Sequence, residues 1–247
     1  MSYDQQQHSP FNVTLHIGDC PDWSPQREFE ESLIKEFESK TLLNPFKDLD
    51  CNPYKDGSCA TSPPQVMVDL PTAVCAFKYS DSTCNEYSMI TYESTEAATN
   101  DGASVTHTGA CGLCSTAKDL ATYMSIPDMT HAGKICAMKG IVSSRWGKKC
   151  YMKLGFTAPC SEIWNYDGQQ TRKKCMTTCI GHLDSPNNGP EPACELNSCL
   201  QCDEDEAGPI FKKFAARTRR RSGILSAITR GCDDFANIKH ESCPQIM

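Results

Sequence analysis

The spacing of apolar residues predicts two amphipathic helices in the first half of the chain. In the first, Phe29, Leu33 and Phe37 recur on one helical face, so we expect a helix over about residues 26–43. In the second, the apolar positions repeat at i, i+4, i+7, i+8 and i+11, and they are Leu113, Ala117, Leu120, Ala121 and Met124. Each pattern is followed closely by a proline, which ends a helix.

Short strands are predicted where β-branched and aromatic residues cluster. Three segments have this content, namely residues 66–70, 73–79 and 87–92. The second and third of them are close in sequence, so we expect them to form a hairpin. Residues 93–105 are small and polar and contain Asn100-Asp101-Gly102, which indicates a turn.

The second half of the chain gives weaker helical signals. Residues 135–160 mix Lys and Cys with large apolar residues and favour no single element, whereas residues 172–183 are predicted to be helical. Residues 203–230 begin with four acids, which suit a helix N-terminus, and continue with seven basic residues along an apolar face. We therefore predict a last helix there, bent or divided at Gly223.

These elements predict an α+β fold in which helices outnumber short strands. We expect an extended lead over residues 1–26 and a single crosslinked domain over residues 27–247. Hydrophobic residues make up 39% of the chain and the mean hydropathy is -0.47, so the core is thin for this length. Crosslinks that restrict the unfolded chain would supply the missing stability.

Seventeen cysteines in 247 residues indicate an oxidising compartment, where thiols become disulfides. The first ten residues lack the apolar segment of a signal peptide, so either the protein is cytosolic or the chain is a mature form with an added Met. The number of cysteines favours the mature form. Asn12-Val13-Thr14 is an acceptor sequence for N-glycosylation and fits a secreted or lumenal glycoprotein. An odd number of cysteines predicts one that is free, paired between chains, or buried.

Charge and hydropathy limit the partners that we expect. The formal net charge of -7 argues against nucleic-acid binding, and no run of 18 apolar residues is present to span a membrane. The six histidines include no His-x-x-x-His or His-x-His pair, so we predict no cofactor and no catalytic metal. The sequence does not indicate an oligomeric state.

The first candidate site is the turn at residues 106–115. Cys111 or Cys114 at a helix N-terminus would have a stabilised thiolate, and His107 could serve as its base. Gly109 and Gly112 would let backbone N–H groups face an oxyanion or a bound anion. The segment Cys111-Gly112-Leu113-Cys114 also resembles the thioredoxin-type motif, and that resemblance implies thiol–disulfide exchange. The simpler alternative is that both cysteines belong to ordinary disulfides.

The second candidate site is the basic run that starts at Arg217. Arg217 and Arg221 share a helical face, and Arg220 lies on the face of Lys213, so these arginines could hold a carboxylate or phosphate. Three alternatives stay open for this run. It is a solvated helix face, it pairs with the acids at residues 203–206, or its Arg-x-Arg-Arg pattern is cut by furin-like convertases.

The third candidate is a zinc site made of two cysteine pairs. Cys175 and Cys179 are followed, after a spacing that suits structural zinc, by Cys199 and Cys202. The remaining cysteines would then need a separate explanation, so disulfides between helices account for these four more simply.

Three functions remain. The leading hypothesis is a secreted or lumenal enzyme that acts on a small anionic molecule, with a Cys/His site at the 106–115 turn and the arginines as its anion grip. The first alternative is a non-enzymatic disulfide-rich binding or structural protein. The second is a thiol–disulfide oxidoreductase that uses Cys111 and Cys114.

Overall fold

The computed structural model describes residues 25–56, 59, 70–182, 185–190, 193–241 and 243. Within these ranges the chain forms eight α-helices and one four-stranded sheet, which confirms the α+β class and the excess of helices. Of the predicted extended lead, residues 1–24 lie outside the described residues. Its last residue, Gln26, pairs with Ile224 in a parallel β-bridge.

The sheet contains the hairpin that the sequence predicts. Its strands are β1 (Thr41–Leu42), β2 (Val74–Tyr79), β3 (Glu86–Tyr92) and β4 (Ser104–Thr108), in the order β1-β3-β2-β4. Strands β2 and β3 pair antiparallel, as do β2 and β4, so β2 is central. Phe77 of β2 packs against Tyr87 of β3 with ring centroids 4.5 Å apart. Of the predicted strand at 66–70, only Leu70 lies among the described residues, and it is not in a strand.

The helices pack against this sheet and against one another. They are α1 (Glu31–Ser39), α2 (Thr95–Asn100), α3 (Ala117–Ser125), α4 (Met129–Val142), α5 (Ser144–Leu154), α6 (Ala158–Ile180), α7 (Ser198–Glu206) and α8 (Gly208–Ala215). Side-chain caps define several N-termini. Thr116, Asp128 and Thr157 are the N-cap residues that precede α3, α4 and α6, and the side chain of each accepts a hydrogen bond from a backbone N–H of the first turn. None of these helices is long and apolar enough to cross a membrane, among the residues described.

The structure corrects the longest predicted helix, at residues 203–230. Helices α7 and α8 are separate, and α8 ends at Ala215 because Ala216 adopts a φ of 63°, which a right-handed helix does not allow. The arginines that follow lie in a loop and a short 3-10 turn, Arg220–Ser222. The helical spacing assumed for Arg217, Arg220 and Arg221 therefore does not exist.

Disulfides crosslink the described part of the chain throughout. Seven are formed there, between Cys51 and Cys59, Cys75 and Cys111, Cys84 and Cys243, Cys114 and Cys160, Cys136 and Cys150, Cys175 and Cys202, and Cys179 and Cys199. Cys232 is also disulfide-bonded, and Cys194 is a free thiol. The last two of these pairs join α6 to α7, so the four proposed zinc ligands form disulfides between helices instead. A fold so heavily crosslinked suits an extracellular type of protein.

Candidate functional site

The two predicted site segments meet in the structure, at Arg217. Its guanidinium donates to the backbone oxygens of Thr106, Cys114 and Ser115 at 2.9–3.1 Å. It also donates to Thr106 Oγ1 and to Ser222 Oγ. Burial lowers the pKa of Arg217 to about 10, so the side chain stays charged at neutral pH. Because its donors are engaged by the protein and the residue is fully buried, Arg217 joins the two segments rather than gripping a substrate.

Cys111 and Cys114 do not form the predicted redox pair or a free nucleophile. Cys111 is bonded to Cys75 of β2, and Cys114 is bonded to Cys160 in the first turn of α6. A sulfur held in a disulfide carries no thiolate, and the motif cannot close on itself when each sulfur has another partner. Both thiol hypotheses are corrected by these bonds, and the simpler alternative of ordinary disulfides holds.

His107 is part of a buried hydrogen-bond network. Its Nδ1 lies 2.9 Å from the carbonyl oxygen of Thr108, and its Nε2 lies 2.7 Å from Ser115 Oγ. Burial, assisted by the nearby charge of Arg217, lowers the pKa of His107 well below its usual value. The neutral ring therefore donates from Nδ1 and accepts the Ser115 hydroxyl at Nε2. Both side chains are fully buried, so this Ser–His pair holds the turn and does not face solvent.

The two glycines serve close packing of the turn. Gly109 has a φ of +87° and donates its N–H to the carbonyl of Ala73. Gly112 donates its N–H to Ser115 Oγ, and a Cβ atom there would lie 2.6 Å from the carbonyl oxygen of Phe214. Because both N–H groups already have acceptors, the predicted anion-binding turn is corrected to a packed one.

The side chains of the other two arginines, Arg220 and Arg221, bind different partners. Arg221 donates to the carbonyl oxygens of Lys212 and Ala216, whereas Arg220 forms an ion pair with Glu204 at 3.1 Å. The pairing of this run with the acids at 203–206 is therefore the alternative that holds for Arg220. Since Arg217 and Arg219 are buried, the convertase pattern is not presented for cleavage.

A pocket of about 530 Å³ opens between α4, α6, α7, α8 and residues 218–230. Its floor is aromatic and is formed by Tyr123, Tyr151, Trp164 and Phe211. Its outer walls carry apolar side chains that stay exposed, namely Met138 and Ile141 of α4 and Met176 and Ile180 of α6. Pockets that bind small molecules have volumes of about 300–1,000 Å³ and mostly apolar linings.

Two polar atoms on the pocket floor lack hydrogen-bond partners. The Tyr123 hydroxyl and Trp164 Nε1 are buried, and neither makes a hydrogen bond within the described part of the chain. Burial raises the pKa of Tyr123, and the nearby indole N–H of Trp164 partly offsets that rise. The two groups nevertheless do not meet the geometry of a hydrogen bond. An unpaired buried hydroxyl is costly, so a ligand atom that pairs with it would gain affinity.

Basic side chains converge on Glu204 at one wall of the pocket. Glu204 Oε1 lies 3.1 Å from Arg220 and 3.0 Å from Arg230, and Oε2 lies 2.6 Å from Lys212. Burial works to raise the pKa of Glu204, but the three cations outweigh it and lower that pKa. The wall therefore holds one carboxylate among three cations.

Two further acids, Asp167 and Asp203, line the pocket, and neither forms an ion pair in the described residues, although the charge of Lys212 acts to lower the pKa of both. Asp167 lies within 2.9 Å of the Tyr54 hydroxyl, and Asp203 contacts the Thr171 hydroxyl. Each hydroxyl also has a backbone acceptor, the carbonyl of Ala207 for Tyr54 and that of Asp167 for Thr171. A protonated acid can therefore donate to each hydroxyl. Burial is the main cause that raises the pKa of both acids, and their mutual repulsion adds to it at Asp167.

We expect Asp167→Asn to raise the melting temperature at pH 7. A carboxyl whose pKa is raised on folding stabilises the protein below its unfolded pKa, and that stability is lost as the pH rises through the folded pKa. The amide copies the neutral acid, so the gain at pH 7 should vanish below about pH 4. Melting curves from pH 3 to 8 measure this, with the exposed Asp205→Asn as the control. An Asn variant that is less stable than the wild type at pH 7 would contradict the neutral pair.

Sequence reasoning found Arg220 but missed the rest of the pocket. Pairing of basic residues with the acids at 203–206 was one of the open alternatives, but the sequence did not single out Lys212 and Arg230 as partners of Glu204. Tyr123, Trp164 and Asp167 carry no local motif, and only their packing brings them together. Among the residues that the structure describes, no group of three metal-ligating side chains is present.

Comparison with known proteins gives one partial similarity. No curated protein and no solved structure matches the chain. Residues 144–238 are similar to a family of unknown function (DUF8771), and they span α5 to α8 together with the arginine-rich loop and most of the cationic wall of the pocket.

Proposed function

We propose that this protein binds an apolar small molecule in the pocket between α4 and α6. This is the non-enzymatic, disulfide-rich binding protein among the functions that the sequence leaves open. The pocket has the volume, the aromatic floor and the few convergent polar groups that ligand sites share. The turn at 106–115 supports catalysis less well, because its cysteines are crosslinked and its Ser–His pair is buried.

One observation carries this proposal. Four large apolar side chains on facing helices remain exposed beside a buried hydroxyl that has no partner among the described residues. Met138 is 65% exposed and Ile180 is 63% exposed, although both line a concave surface. Contiguous apolar surface of this kind marks a binding site. A bound apolar molecule would cover these exposed walls.

We also propose that the protein acts outside the cytosol, in a secreted or lumenal setting, with Asn12 as a glycan acceptor. The crosslinking of sheet, turn and helices supports an oxidising compartment. Asn12 lies outside the described residues, so the support for glycosylation is its acceptor sequence alone.

Titration with Nile red, a neutral apolar dye, tests the binding function. We expect saturable binding to the full chain and a change in Trp164 emission, because the indole lies on the pocket floor. Met138→Glu should weaken binding about tenfold, since it places a charge against apolar ligand surface. Val142→Glu is the matched control: Val142 is on the same helix and equally exposed, but it does not line the pocket.

Two results would contradict the binding function. One is the absence of saturable binding by the folded wild type. The other is an equal loss of affinity in the Met138→Glu and Val142→Glu variants, which would place the dye elsewhere on α4.

A further inference from the structure

The polar end of the pocket carries more positive than negative charge. Lys212, Arg220 and Arg230 share a single carboxylate, that of Glu204. The side chains of both arginines are at least 73% buried, since 27% and 20% of their surface is exposed. The chain as a whole has a net charge of -7, so a cationic surface here is opposite to the average of the molecule.

A further cation on the same lining, Arg219, forms no ion pair in the described residues, although the charge of Asp128 acts to raise its pKa. Arg219 donates to the carbonyl oxygens of Tyr123, Ile126 and Leu225, all at 2.6 Å. Burial lowers its pKa to about 10, so it remains charged at neutral pH. A buried charge is unfavourable unless an opposite charge approaches it. A ligand anion in the pocket would supply that charge.

The acid pair does not cancel this excess. Asp167 and Asp203 each have a hydroxyl partner that can accept a hydrogen bond from the protonated acid. With both acids neutral, the one carboxylate of the described lining is that of Glu204, against six cations: Lys134, Arg172, Lys212, Arg219, Arg220 and Arg230. The cations would still outnumber the carboxylates if both acids were ionised.

We propose that the ligand is a single-chain amphiphile whose anionic head group binds at Lys212, Arg220 and Arg230 while its apolar chain lies between α4 and α6. This inference rests on the binding function proposed above and adds the chemical class of the ligand. Arg220 and Arg230 each contact Glu204 through one guanidinium nitrogen, so their other nitrogens can donate to a carboxylate or phosphate oxygen of the ligand. The exposed methionines and isoleucines of the walls suit a flexible hydrocarbon chain.

Displacement of Nile red from the full chain tests this ligand class at pH 7.5, below the micelle concentration of each competitor. The competitors share a twelve-carbon chain and differ in the head: dodecanoate, dodecyl phosphate, dodecanol and dodecylammonium. We expect at least one anion to displace the dye at a concentration tenfold or more below that of dodecanol. The stronger of the two anions identifies a carboxylate or a phosphate as the preferred head group.

Variants locate the head group within the pocket. Lys212→Gln should weaken displacement by the preferred anion several-fold and leave displacement by dodecanol unchanged. Its matched control is Lys213→Gln, because Lys213 is the adjacent residue, is exposed, and does not line the pocket. Arg230→Gln should act in the same direction as Lys212→Gln.

Different failures separate this inference from the function on which it rests. If Nile red binds but dodecanol competes as well as both anions, the anionic head group is overturned and the apolar pocket stands. If dodecylammonium is the best competitor, Asp167 and Asp203 select the head group, and the assignment to the cationic wall is wrong. If no dye and no competitor binds, the binding function itself fails.

Discussion

Arg217→Ala should lower the free energy of unfolding by at least about 3 kcal/mol. The substitution removes a guanidinium that makes five hydrogen bonds to four residues of two distant segments. Three backbone carbonyls at the 106–115 turn would remain buried without their donor, and each such group costs about 1–3 kcal/mol. Urea unfolding followed by circular dichroism measures the loss.

Two further variants make this result interpretable. Ser222→Ala removes one of the five acceptors and should cost about 1 kcal/mol, so it remains informative if Arg217→Ala does not fold. Arg145→Ala removes an exposed arginine and should change stability by less than about 0.5 kcal/mol. An Arg217→Ala protein within 1 kcal/mol of the wild type would show that these contacts are not what holds the turn.

The reactive side chains of the 106–115 turn and Arg217 of the basic run therefore stabilise the fold. His107 and Arg217 lie near each other in the structure, but an argument from residue types cannot tell an inward-facing guanidinium from one that faces a ligand. That distinction depends on burial. Arg217 is buried next to the place where Gly112 approaches the backbone of α8 closely, and the spacing of residues in the sequence does not predict that contact.

The β2–β3 hairpin and α3 were predicted best. The hairpin was found from its β-branched and aromatic residues, and β2 buries four consecutive residues, 74–77. Helix α3 was found from its helical spacing, because it buries all of its apolar positions. Helix α1 is shorter than predicted, because Gln26 belongs to a β-bridge and Lys40 is extended. Its apolar stripe nevertheless indicates the correct face.

The walls of the pocket are the elements that periodicity missed. The second half of helix α4 lies in the unassigned region 135–160, and its outer surface carries Met138 and Ile141 where an amphipathic helix would carry polar residues. The first half of α6 was missed because it buries Ser161, Asn165 and Asp167 rather than an apolar stripe. A binding surface reverses the usual placement of polar and apolar residues, and the pattern that identifies helices is lost there.

Removal of the Cys114–Cys160 disulfide should destabilise the fold by about 4 kcal/mol. This bond joins residues 46 apart and ties the 106–115 turn to the first turn of α6, the helix that forms one pocket wall. The loss comes from the greater freedom of the unfolded chain, and it grows with the length of the closed loop. A Cys114→Ala/Cys160→Ala double variant avoids leaving polar thiols in the core.

The Cys51–Cys59 disulfide provides the matched control for that loss. It closes a segment of only 8 residues in sequence, so the corresponding double alanine variant should lose about 2.5 kcal/mol. Urea unfolding of both variants compares the two losses. Equal losses would contradict an origin in loop length. Because loss of this disulfide acts on the unfolded chain, the folded Cys114→Ala/Cys160→Ala protein should bind Nile red with an affinity within about twofold of the wild type. A loss of binding by the folded variant would mean instead that the disulfide positions α6 and shapes the pocket directly.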